Sequence, residues 1–190
     1  MSRVRAANCA GRRILIAGVG NIFLGDDGFG VEVAQHLMSR SYPQEVQVND
    51  FGLRGVELAY TLLDGYDTLI LVDAMPRGGE PGTLYLLEPD LSMYTPENGS
   101  EAGRRALDAH SMDPVKVLAF AFTLGARPRQ ILLVGCEPSR YVADEDYIEM
   151  HMGLSTPVRT AVDEAVKMVD ALIEKLLNAP CGAQKGPTHG

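Results

Sequence analysis

Apolar residues along this chain follow two rhythms, and their alternation predicts the architecture. ILIAGVG (14–20), TLILVDA (68–74) and QILLVGCE (130–137) are nearly unbroken apolar runs of strand length, the mark of strands covered on both faces. VQVNDF (46–51) and TLYLLE (83–88) read as two further strands. Between them the apolar positions recur at helical spacing: Gly30, Val33, Ala34, Leu37 and Met38 on one helix, and Val56, Ala59, Tyr60 and Leu63 on a second. Asp113 and Pro114 suit the N-cap and first turn of a third helix, with Val115, Leu118, Ala119 and Phe122 on one face. Thr156-Pro157 opens a long final helix whose inward side carries Val158, Ala161, Val162, Ala165, Val169, Leu172, Ile173 and Leu176.

One connection breaks the alternation. Only MPRGGEPG (75–82) separates the third and fourth strands, too short for a parallel return, so the fourth strand should run antiparallel to its predecessor. Residues 89–109 form a long polar stretch rich in Pro, Gly and charges, a loop of the length that often carries function. The expected fold is α/β: a three-layer α/β/α sandwich around a five-stranded, mostly parallel sheet with one antiparallel strand. The chain reads as a single domain, 1–190, with a core over about 12–178 and flexible ends at 1–11 and 180–190. Right-handed crossovers that place helices on both faces require the strand order to reverse, here between the first and third strands. Ligands of such sheets bind beyond the strands' carboxyl ends at that reversal.

Charge then narrows the chemistry. The formal net charge is -8 and no basic cluster stands out, which argues against a nucleic-acid partner. Cys9, Cys136 and Cys181 are odd in number and far apart, which fits a reducing, cytoplasmic compartment better than a disulfide framework. Arg12 and Arg13 ahead of the first apolar run faintly mimic a signal peptide, but the run is short and carboxylates follow it; no stretch is long enough to span a membrane.

The first turn, GVGNIFLGDDGFG (18–30), holds the most chemistry. It is not a dinucleotide loop: Phe23 stands where the third glycine is needed, and Asp26 and Asp27 would repel a pyrophosphate. One of these carboxylates suits the cap of the first helix. The other, brought near Asp73 at the end of the third strand, incurs repulsion unless a proton or a cation lies between them. Of the four histidines, His36 falls on an exposed helical position, His151 in a loop and His189 in the tail. His110 ends the long polar loop and is placed to swing into the crevice. Two carboxylates and an imidazole make an open site for a divalent transition metal, and Ni, Zn, Fe or Mn would all be acceptable.

These residues carry a specific resemblance. G-x-G-N followed by Asp-Asp and Gly, an apolar strand ending in Val-Asp-Ala, and a later isolated His resemble the nickel–iron hydrogenase maturation endopeptidases over about residues 13–177. The resemblance implies a hydrolase that removes the C-terminal extension of the hydrogenase large-subunit precursor once nickel is inserted. It also implies metal ligation by Asp27, Asp73 and His110, with Asp27 and Asp73 as the catalytic carboxylates. Nickel would arrive with the substrate, and other divalent cations would be accepted. Two mechanisms stay open: nickel gripped by all three groups polarises the scissile carbonyl or activates water, or the aspartates share a proton and act as a dyad. The family commonly shows Asp-Gly-Gly after the second strand, whereas this chain has Asp50-Phe51-Gly52, then Leu53-Arg54. Asp50 could position the substrate, and Arg54 could meet an acidic or C-terminal group of the precursor. Residues 89–109 are expected to order when substrate binds. The alternatives are a nickel-dependent chaperone that docks without cutting, and a peptidyl-tRNA hydrolase-like enzyme, which would need a basic face this chain lacks.

Overall fold

A computed structural model describes residues 12–89, 114–139 and 152–179. The strands are β1 (Ile14–Val19), β2 (Val46–Gly52), β3 (Thr68–Ala74), β4 (Leu84–Leu87) and β5 (Gln130–Cys136). The helices are α1 (Phe29–Met38), α2 (Gly55–Thr61), α3 (Pro114–Leu124) and α4 (Thr156–Asn178), with a 3-10 turn, Gly25–Gly28, leading into α1. The sheet has five strands in the order β2-β1-β3-β5-β4, parallel except for β4. β1 and β3 therefore lie side by side at the reversal that the chain order required. β4 runs against β3, as its short connection demanded, but pairs with β5 at the sheet edge rather than with β3. Asp113, the loop through 109 with His110, His151, His189, Cys9, Cys181 and both chain ends fall outside the described residues.

Alternation along the central strands divides the core in two. Ile14 and Ile16 of β1 and Ile70 and Val72 of β3 pack with α1 and α4, while Leu15, Ala17, Leu69 and Leu71 pack with α2 and α3. Every residue of β1 is buried, as a strand sandwiched between helical layers must be. The final helix buries Val158, Ala161, Val162, Ala165, Val166, Val169 and Ile173, close to the expected stripe.

Two helix faces differ from expectation. α2 buries Gly55, Leu58, Ala59 and Leu62, whereas Val56, Tyr60 and Leu63 face outward. Both sets have helical spacing, so periodicity could not choose between them. The sheet receives the Leu58–Leu62 stripe, while Tyr60 sits edge-on to Phe120 of α3 at 6.5 Å. Met38 and Val115, at the helix termini of α1 and α3, are likewise exposed. No described helix is long and apolar enough to cross a membrane.

Candidate active site

The carboxyl ends of β1, β2, β3 and β5 share one edge of the sheet, and the turn from β1 to α1 is built across it. β1 ends at Val19, and Gly20 takes φ 132°, with Asp27 O only 1.9 Å from where a Cβ would stand. A side chain has no room there and the backbone no comfortable conformation, so glycine is required. The backbone N–H of Asn21 donates to Oδ2 of Asp27 at 2.7 Å, and Oδ1 of Asn21 accepts the Phe23 N–H at 3.0 Å. Asp27 is thus pinned at the turn. Burial raises its pKa above the ordinary carboxylate value, opposed by the Asn21 N–H.

Asp73 is the penultimate residue of β3, half-buried and opposite Gly135 of β5. The 3-10 turn that bears Asp27 packs against β3, so both aspartates stand at the strand reversal between β1 and β3. Among the described residues no group of three His, Cys, Asp or Glu side chains could hold a metal ion. The third expected ligand, His110, lies outside them, and His36 is exposed on α1. Carboxylate oxygens at an open strand end still have the donor chemistry a divalent cation needs.

Asp26 has a different task from the cap expected of one member of the pair. Neither aspartate caps the 3-10 turn or α1 through its side chain. Instead the buried Asp26 carboxylate accepts the Ser139 N–H at 2.8 Å, the Ser155 N–H at 2.6 Å and the Ser155 hydroxyl at 2.9 Å. It ties the exit of β5 to the first residue before α4, and thereby both to the turn between β1 and α1. Asp26→Ala would strand these buried donors, at a cost on the order of 3 kcal/mol. Thermal unfolding should register this as a Tm lowered by roughly 6–12 °C.

Glu137, directly after β5, is a buried carboxylate at the same strand-end edge that the chain pattern did not single out. Its buried carboxylate accepts the backbone N–H of Arg77 at 2.8 Å and of Gly78 at 3.0 Å, and the Tyr85 hydroxyl at 2.7 Å. The segment following Asp73 is therefore wrapped around a single anion. The available signal was an apolar run ending in a carboxylate, LLVGCE, the same signal that marked Asp73. Burial pushes the Glu137 pKa up, but the Tyr85 hydroxyl and the N–H groups of Arg77, Gly78 and Gly79 outweigh it and hold it below its ordinary value. A lowered folded pKa contributes stability above the unfolded value, lost as pH falls through the folded one. The stability gap between wild type and Glu137→Gln should accordingly be largest near pH 7 and shrink below about pH 4, as read by denaturant unfolding at several pH values.

Cys136 is not a nucleophile: burial, with the Asp26 and Glu137 charges, pushes its thiol up to about 12. The loop after β2 also departs from expectation. Phe51 is the extra residue of a bulge, since Gly18 pairs with Asp50 and Val19 with Gly52, and its ring is buried in the α2/α3 side of the core. The Arg54 guanidinium donates to the carbonyls of Asp50 and Phe51 and pairs with Glu57 at 3.3 Å. It braces its own loop while remaining more than half exposed. The Asp50 carboxylate accepts from Gln35 at 3.3 Å.

Comparison with known proteins identifies the family of the chain. The family model for hydrogenase maturation proteases matches residues 31–171. A putative hydrogenase maturation protease of Methanocaldococcus jannaschii is 31% identical over 167 residues, covering 85% of this chain and 97% of its own. The hydrogenase expression/formation protein HoxM of Azotobacter vinelandii is 33% identical over 156 residues, 82% of this chain and 69% of that one. Among solved structures, the hydrogenase maturating endopeptidase HybD of E. coli superposes with a TM-score of 0.62 at 29% identity, over 86% of this chain and 93% of that one. The chain belongs to the hydrogenase maturation protease family.

Proposed function

We propose that this protein is the endopeptidase that removes the C-terminal extension of a nickel–iron hydrogenase large-subunit precursor after nickel insertion, with Asp27, Asp73 and His110 engaging the nickel. The observation that carries the reading is the pair of aspartates at the strand reversal, in a chain that belongs to the hydrogenase maturation protease family. Peptide hydrolysis adds water to the scissile carbonyl carbon, breaks the C–N bond and delivers a proton to the departing amine. Nickel is part of the substrate in this account. The two carboxylates and the imidazole grip it, and it polarises the carbonyl or lowers the pKa of the attacking water. Asn21 fixes the Asp27 carboxylate for this task through its N–H. In the competing mechanism the aspartates share one proton and activate water as a dyad, with nickel only recognised. His110 favours the first, because an imidazole suits a ligand set better than a dyad.

The peptidyl-tRNA hydrolase alternative has no support, since the family match points elsewhere and the net charge of -8 offers no RNA-binding face. A non-cleaving nickel-dependent chaperone would use the same three groups. The intact mass of the precursor after incubation with this protein separates the two. Loss of a C-terminal peptide from the nickel-loaded form, and not from the nickel-free form, is the expected result. Tight nickel-dependent association with no change of mass in either form would assign the protein to chaperoning.

A further inference from the structure

We infer that Ile22, Phe23 and Leu53 form an apolar shelf that seats hydrophobic residues of the substrate polypeptide beside the scissile bond. The inference rests on the processing function proposed above and names how that site selects its substrate. Ile22 and Phe23, two adjacent large apolar side chains in the turn that bears Asp27, are 44% and 47% exposed. The turn is rigid rather than frayed. Asn21 is bonded on one side to Asp27 and on the other to Phe23, and Leu24 N–H donates to Asn21 O at 3.0 Å. Ile22 lies over the glycine directly after Asp27: a Cβ built on Gly28 would stand 3.1 Å from Ile22 Cα and 3.5 Å from its Cγ2. Leu53, 53% exposed, adjoins this turn, because Gly20 N–H donates to the carbonyl of Gly52 at 3.1 Å.

The occupant follows from the geometry. An extended peptide advances about 3.3 Å per residue, so a segment presenting its scissile carbonyl to Asp27 runs across residues 22 and 23 within one or two residues. Ile22 and Phe23 belong to the same turn as Asp27, and Leu53 follows the strand end bonded to it. Residues 20–24, Gly-Asn-Ile-Phe-Leu, carry no charge in a chain of net charge -8, so an apolar strand laid on this part of the rim desolvates no ionised side chain there. The shelf therefore selects for apolar side chains flanking the bond, while the aspartates read the metal.

Ile22→Ser/Phe23→Ser and, separately, Leu53→Ser should be compared with wild type for binding of fluorescently labelled nickel-loaded precursor and for steady-state cleavage. Met38→Ser, equally exposed but at the far end of α1, is the control for general surface hydrophobicity. The double variant is expected to raise Kd and KM roughly ten-fold or more, as loss of buried apolar contact requires, and Leu53→Ser several-fold. The loss falls on KM rather than kcat, and Met38→Ser leaves both near wild type. Kd and KM of the shelf variants within two-fold of wild type, with wild type cleaving, overturn the shelf and leave the processing function standing. A wild type that neither binds nor cleaves the precursor removes both.

Discussion

Gly30→Ala is expected to yield a protein that does not reach a stable fold. A Cβ at this position would stand 2.1 Å from the carbonyl oxygen of Val72 and 2.3 Å from that of Val19. Both obstacles are main chain, on the two strands at the centre of the sheet, and neither can rotate away as a side-chain tip would. Relief requires lifting the start of α1, which would loosen the packing of Phe29, Val33 and Leu37 against β1 and β3. Ordinary overpacking costs about 1–3 kcal/mol, and a double backbone collision belongs above that range, against a total stability of about 5–15 kcal/mol. Intrinsic preference works the other way, because alanine is favoured over glycine inside a helix by about 1 kcal/mol. A thermal melt or the soluble yield checks the outcome. A Tm at or above wild type would mean that α1 does not approach the sheet as closely as described.

Most of this architecture was legible because its determinants are local. The short unbroken apolar runs of β1, β3 and β5, bounded by turn residues, read as buried strands, and the nine residues between β3 and β4 are too few for a crossover. Pro157 marked the start of α4 without reference to anything else. What was not legible depends on partners far along the chain. Two apolar stripes on α2 obey the same period, and only the sheet beneath decides that Leu58 and Leu62 turn inward rather than Val56 and Leu63. Asp26 and Asp27 are chemically identical neighbours. They are separated by the fact that Asp26 meets Ser139 and Ser155, more than a hundred residues later, while Asp27 is held by Asn21 six residues before it. The Glu137 anchor draws on Arg77, Gly78 and Tyr85, more than fifty residues earlier. Asp73 was singled out because a carboxylate ending an apolar strand at a reversal needs a reason beyond packing, and the structure puts it at that reversal.

Asp27→Asn and Asp73→Asn are each expected to lower cleavage of the nickel-loaded precursor by roughly 10²–10⁴-fold, the range for removal of an acid–base or comparable polar participant. An amide keeps the shape of the carboxylate and loses its charge, so it neither grips a cation nor shares a proton. The Asn21 N–H still finds an oxygen at position 27, and the turn should persist. Stability should move in the opposite sense to activity. Burial raises the folded pKa of Asp27 above its unfolded value, so its ionised form costs stability at neutral pH, where the unfolded chain holds it more readily. Asp27→Asn should then melt at or above wild type, whereas Asp26→Ala melts below it. Adjacent aspartates would thus divide cleanly, one at a cost to stability for chemistry and one holding the scaffold.

The central claim is that Asp27 does work on the substrate rather than on the fold. It is tested most directly by the intact mass of nickel-loaded precursor after incubation with stoichiometric wild type or Asp27→Asn, each verified as folded by its melt. Shortening at the C-terminus by wild type, with full-length precursor remaining beside the variant, is the result this account predicts. Equal shortening by both would contradict it and move the active site away from the β1–α1 turn.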